Sequence, residues 1–105
     1  MSEPSDAPVP YRVSYSERVR AAFKELVTGA SDLGLRARIL AAGKEINRLL
    51  HLYPQFGEPL CDLKLQPAQI WVGVSPPLVL RYILDEERRL VIVGAPFELL
   101  PHSGQ

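Results

Sequence analysis

YRVSYSERVRAAFKELVTGASDLGLRARILAAGKEINRLLHLYP, residues 11–54, changes its hydrophobic period once, and that change decides the fold class. Tyr11, Val13 and Tyr15 alternate with Arg12, Ser14 and Ser16, the period-2 pattern of a half-buried strand. Ser16 then stands where a helix N-cap belongs, with Glu17 in the first turn. Val19, Ala22, Phe23, Leu26 and Val27 follow at three- and four-residue spacing, which predicts a helix over 17–28, closed by Gly29. Ser31 or Asp32 caps a second helix, whose apolar stripe runs through Leu35, Ile39, Ala42, Ile46, Leu49, Leu50 and Tyr53. Gly43 weakens it by about 1 kcal/mol relative to alanine but permits close packing. Pro54 ends it. The short link predicts an antiparallel helical hairpin.

Beyond Gly57 the helical period is gone. Leu63 and Leu65 alternate with Asp62 and Lys64, and Ile70, Val72 and Val74 with Trp71 and Gly73. Leu78 to Leu84 and Leu90 to Val93 are rich in strand-formers, joined by the charged turn Asp85-Glu86-Glu87-Arg88. Ser75-Pro76-Pro77 separates two strands, since proline cannot donate a ladder hydrogen bond. The predicted order is β-α-α-β-β-β-β. It implies an α+β fold, a helical hairpin on one face of a mainly antiparallel sheet of four to five strands. Val19, Phe23, Ile39, Ile46 and Ile92 are the expected core.

The boundaries follow from composition. Residues 1–10 hold three prolines, two serines and two acids without periodicity, and are expected to form a flexible arm. Residues 11–100 form one domain and 101–105 a short tail, consistent with a 105-residue chain. Twelve basic side chains balance twelve acidic ones, which argues against binding nucleic acid by bulk electrostatics. Cys61 is the single cysteine, so neither a disulfide framework nor a multi-cysteine zinc site is expected. No apolar run approaches the roughly 18–20 residues that span a bilayer. The acidic, apolar-poor start does not read as a signal peptide, and the expected location is cytoplasmic.

Three stretches in this order resemble the RelE/ParE superfamily of bacterial type II toxins: YRVSYS (11–16), INRLLHLYPQFGEPL (46–60) and LVLRYILDEERRLVIVGAP (78–96). The resemblance implies a small α+β toxin, an antitoxin partner, and one of two actions: ribosome-dependent cleavage of messenger RNA, or poisoning of DNA gyrase. An inert RelE-like binding module or homodimer is the alternative from another class. RNA-cleaving relatives carry several basic residues on the sheet, with a tyrosine or histidine near the C-terminus. Lys64 matches one basic position, and Arg81 and Tyr82 lie on the fourth strand; two other basic positions fall at the apolar Val79 and Pro96.

Each candidate has a plainer alternative. Lys64 and Arg81 either bind phosphate through charge-assisted hydrogen bonds or decorate a solvated strand face. Tyr82 either donates a proton or fills the space between sheet and helices. His51 suits the negative end of the second helix, and His102 has no partner acid at fixed spacing. Trp71 points away from the core face of Ile70 and Val72, and either anchors a partner or packs under the proline turn. Arg18, Arg20, Lys24, Arg36, Arg38, Lys44 and Arg48, set against Glu17, Glu25, Asp32 and Glu45, make the helical hairpin locally basic, either a plain solvated face or a surface for RNA backbone or an acidic partner segment. No cofactor or metal is expected, and any cleavage would be metal-independent. Alternation places Arg81 and Tyr82 on opposite faces, so weak or absent cleavage of free RNA is expected.

Overall fold

A computed structural model describes residues 9–60 and 68–100 of the chain. β1 (Arg12–Tyr15) leads directly into α1 (Glu17–Thr28). The turn is set by Ser16, whose extended backbone lets its Oγ accept from the Val19 amide at 3.1 Å. After a four-residue link, Asp32 caps α2 (Leu33–Leu52), with Oδ1 accepting from the Leu35 amide at 2.6 Å. Of the two expected caps it is the aspartate that serves. The hairpin is tied across its link, where the Arg36 Nε–H donates to the Val27 carbonyl at 3.2 Å. Pro54 stops α2 and opens a 3-10 turn, Pro54–Phe56.

The remaining strands are β2 (Glu58–Pro59), β3 (Ala68–Ser75), β4 (Leu78–Asp85), β5 (Leu90–Val93) and β6 (Glu98–Leu99). They form a six-stranded sheet in the order β1-β5-β4-β3-β2, with β6 beside β4. β1 pairs parallel to β5, and every other pairing is antiparallel. The expected order holds among the described residues, which also include two-residue strands at β2 and β6; the strand expected at residues 63–65 is not among them. The segment around Leu63, Lys64 and Leu65, the arm residues 1–8, Cys61 and the tail with His102 lie outside the described residues.

The helices cover one face of the sheet. Val19, Ile39, Ile46 and Leu50 meet Leu78, Leu80, Tyr82, Leu84, Val91 and Val93, all at most 1% exposed. Burying such side chains contributes roughly 1.5–3 kcal/mol each, which is what holds a domain of this size together. In β4 the alternation is strict at Leu78, Leu80, Tyr82 and Leu84 inward against Val79, Arg81 and Ile83 outward. Asp85, 4% exposed, ends the strand by accepting from the Arg88 amide at 3.1 Å.

Three core expectations need correction. Ile92 is 38% exposed, because Val91 and Val93 take the inward positions of β5. Phe23 is half-buried, lying at the edge of the hairpin. In β3 the inward residues are Trp71 and Gly73, leaving Ile70 and Val74 outward at 45% and 47% exposure. The reason is local: Phe56 stacks on Tyr82, centroids 5.9 Å apart, and its ring fills the space where a Gly73 side chain would stand. Only a glycine lets that aromatic pair lie flat on the sheet. Trp71 therefore turns inward and packs against the core, on the side opposite to the one expected.

Candidate functional site

The outer face of the sheet, away from the helices, carries the position on which the sequence reading placed its chemistry. Directly opposed residues in neighbouring strands share a face, so the register maps it. One row runs Ile70–Ile83–Ile92–Ser14 across β3, β4, β5 and β1. The next runs Glu58–Val72–Arg81 across β2, β3 and β4, and a third Val74–Val79–Glu98. Arg81 thus stands among aliphatic side chains, with exposed Glu58 in its own row, Glu98 in the next and Arg12 at the far side of the face on β1.

Tyr82 lies on the other side. It is 1% exposed, and its hydroxyl donates to the Pro54 carbonyl at 2.5 Å. Burial pushes its phenol up to about 12, against a smaller opposing pull from the Gly57 backbone. A phenol so held is a structural post, and the sheet itself separates it from Arg81. His51 sits in the last turn of α2 with Nδ1 2.8 Å from the Asn47 carbonyl; since a carbonyl only accepts, Nδ1 carries the proton. Lys64 falls outside the described residues. The described residues therefore bring no second basic group and no proton donor to Arg81. Among them no cluster of three or more histidine, cysteine or acidic side chains could hold a metal, and no helix is long and apolar enough to cross a membrane.

A second surface is concave. A groove of about 310 Å³ opens between the two helices, walled by Tyr15, Val19, Phe23, Leu40, Gly43 and Phe97. Gly43 makes it possible: a Cβ there would lie 2.6 Å from the Phe23 Cζ. The Phe23 ring, so admitted, tilts at 57° onto Phe97 with centroids 5.3 Å apart. Exposed Arg20, Lys44 and Asn47 line the same groove. The Tyr15 hydroxyl donates to Asn47 Oδ1 at 2.7 Å, and burial pushes this phenol too up to about 12, Arg20 pulling the other way. Neither Arg20 nor Lys44 has an acidic partner among the described residues, where the ion pairs are Arg48–Glu45 and Arg88–Asp85. The sequence signalled this groove only through Gly43 and the basic hairpin. Phe97, beyond the last expected strand, carried no signal.

No protein-family model matches the chain, and no curated protein matches it either. Among solved structures it is similar to a chain of the RelBE2 toxin–antitoxin complex from Mycobacterium tuberculosis. The two share 23% identity with a TM-score of 0.61, over 93% of this chain and 100% of that one. The fold is RelE-like. In this RelE-like domain the outer sheet face is largely aliphatic, and the helical groove is an apolar trough with Arg20, Lys44 and Asn47 as its polar residues.

Proposed function

We propose that this chain is the toxin-like component of a toxin–antitoxin pair and that it acts on a protein, not on RNA. The observation that carries the reading is the outer face of the RelE-like sheet: Arg81 stands there among Ile70, Val72, Val74, Val79 and Ile83. Metal-free RNA cleavage needs an activated hydroxyl, stabilised charge and a protonated leaving oxygen. Arg81, with Lys64 as a second phosphate contact, supplies charge alone. An aliphatic face with few charges suits a protein surface. Of the two actions that the resemblance implies, this favours DNA gyrase over ribosome-bound message.

The antitoxin, in this reading, lays an apolar segment with flanking acids into the groove between α1 and α2. Phe23 and Phe97 receive the apolar side chains, and Arg20 and Lys44, without acids of their own, receive the carboxylates. Induced expression with and without the adjacent reading frame tests the pairing: growth arrest relieved by the neighbour is expected, and unimpaired growth would overturn it. Purified chain added to translating ribosomes and to a gyrase supercoiling reaction tests the target. Blocked supercoiling with intact message is expected. Message cleavage lost in Arg81→Ala or Lys64→Ala would restore the nuclease reading.

A further inference from the structure

The outer sheet face has a symmetry of its own. Glu58, Val72 and Arg81 stand in one row, with the acid and the base on the strands either side of β3. The Leu60 amide donates to the Ile70 carbonyl at 2.8 Å, which places Leu60 beside Ile70, and Ile70 is paired with Ile83. A second row therefore runs Leu60–Ile70–Ile83, with 53%, 45% and 37% exposure. Both rows centre on β3.

We infer that this face is an interface between two copies of the chain, related by a two-fold axis lying along β3 between the stacked sheets. Such an axis keeps position along the strand and exchanges the two sides of β3. β4 of one copy is thereby brought over β2 of the other. Arg81 then meets Glu58 of the second copy, and Glu58 meets its Arg81. Ile83 meets Leu60, while Ile70, Val72 and Val74 each meet their own equivalents. Two sheets stacked face to face sit about 10 Å apart and roughly aligned, a gap that an arginine and a glutamate reaching from opposite sides can close. The interface is isologous, so one favourable charge pairing occurs twice.

The choice of occupant rests on charge complementarity. Neither Glu58 nor Arg81 has an ion-pair partner among the described residues, and the pattern supplies each with one when the face meets a copy of itself. A two-fold axis along β4 instead would set Arg81 against Arg81, which like-charge repulsion disfavours. The aliphatic rows supply the area around the charges.

Sedimentation equilibrium of the full chain, from low micromolar to near-millimolar concentration, reads the association directly. A monomer–dimer equilibrium is expected. Arg81→Glu alone and Glu58→Arg alone each set like charges opposite one another and should weaken dimerisation at least tenfold. The doubly exchanged chain carrying both substitutions should dimerise again. An equimolar mixture of the two single variants should form a heterodimer, because both of its charge pairs are then attractive. All these positions are exposed, and thermal melts of the variants within a few degrees of the parent establish that folding is not the cause. A chain that stays monomeric throughout, a dimer indifferent to the swaps, or a double exchange that fails to restore association would each overturn the inference. The dimer buries the face that the toxin reading offers to its target, so dimer and target compete for it and the dimer is the form without target. None of these measurements involves an antitoxin or gyrase, so their failure is separable from failure of the toxin reading.

Discussion

The hydroxyl of Tyr82, in the middle of β4, donates to the carbonyl of Pro54, the residue that stops α2. This buried bond ties sheet to helix end, and the Phe56–Tyr82 stack shields it. It also gives the fold an alkaline limit. The phenol is raised from 10.0 to about 12, so the native state favours the neutral form. The associated stability is complete below pH 10 and is lost as the pH rises from 10 through about 12. Tyr82→Phe should cost about 1 kcal/mol at neutral pH for the lost hydrogen bond. Its stability should then fall less steeply than the parent's above pH 10, leaving the contribution of Tyr15. Urea denaturation at neutral pH and at several values above pH 10 checks both halves.

Gly43→Ala sets two effects against each other. Alanine is favoured in a helix interior by about 1 kcal/mol. Against that, its Cβ would stand 2.6 Å from the Phe23 ring, which Phe97 supports from elsewhere. The crowding should win, for a net loss of about 1–2 kcal/mol. Phe23→Ala, at a half-buried position, should cost roughly 2–3 kcal/mol, below the range for a fully buried phenylalanine. The paired variant should lose less than the sum, since the alanine then has no ring to meet. Chemical denaturation of the four chains closes the cycle.

Ser16→Ala and Asp32→Ala each remove a side chain that accepts from a helical amide. About 1 kcal/mol should be lost at each, measured as a shift of the urea midpoint with unchanged slope. The caps belong to different helices and share no partner, so the losses should add.

Arg20→Glu and Lys44→Glu reverse the charge of the groove. Both side chains are exposed, so melting should be unchanged within about 0.5 kcal/mol. If the chain has the proposed antitoxin partner, its capture should weaken at least tenfold, with a smaller dependence on salt than in the parent. Titration calorimetry against the purified neighbour at two salt concentrations is the measurement. Binding that ignores both reversals would move the antitoxin to another surface.

Much of this molecule was legible from local pattern. The helix at Glu17–Thr28, with its Ser16 cap, the stop at Pro54, and the strands ending at Val93 follow from spacing, capping chemistry and proline. These are properties of neighbouring residues, and the local chain decides them. The separation of Arg81 from Tyr82 was equally plain, because a strand puts consecutive side chains on opposite sides whatever surrounds it.

What the tertiary structure alone decided is which side is inside. β3 has aliphatic residues at alternate positions, with a tryptophan and a glycine between them, so either face reads as a core. Gly73 turned inward because the Phe56 ring, delivered by the turn after α2, occupies the space a side chain would need. In β5, Val91 and Val93 took the core and left Ile92 outside, though all three are strong strand-formers. Period two says which residues share a face, and only the element packed on top says which face it is. The same holds for Phe97 against Phe23 and for Glu58 in line with Arg81. These partners are distant in sequence and leave no periodic trace, so only the closed fold brings them together.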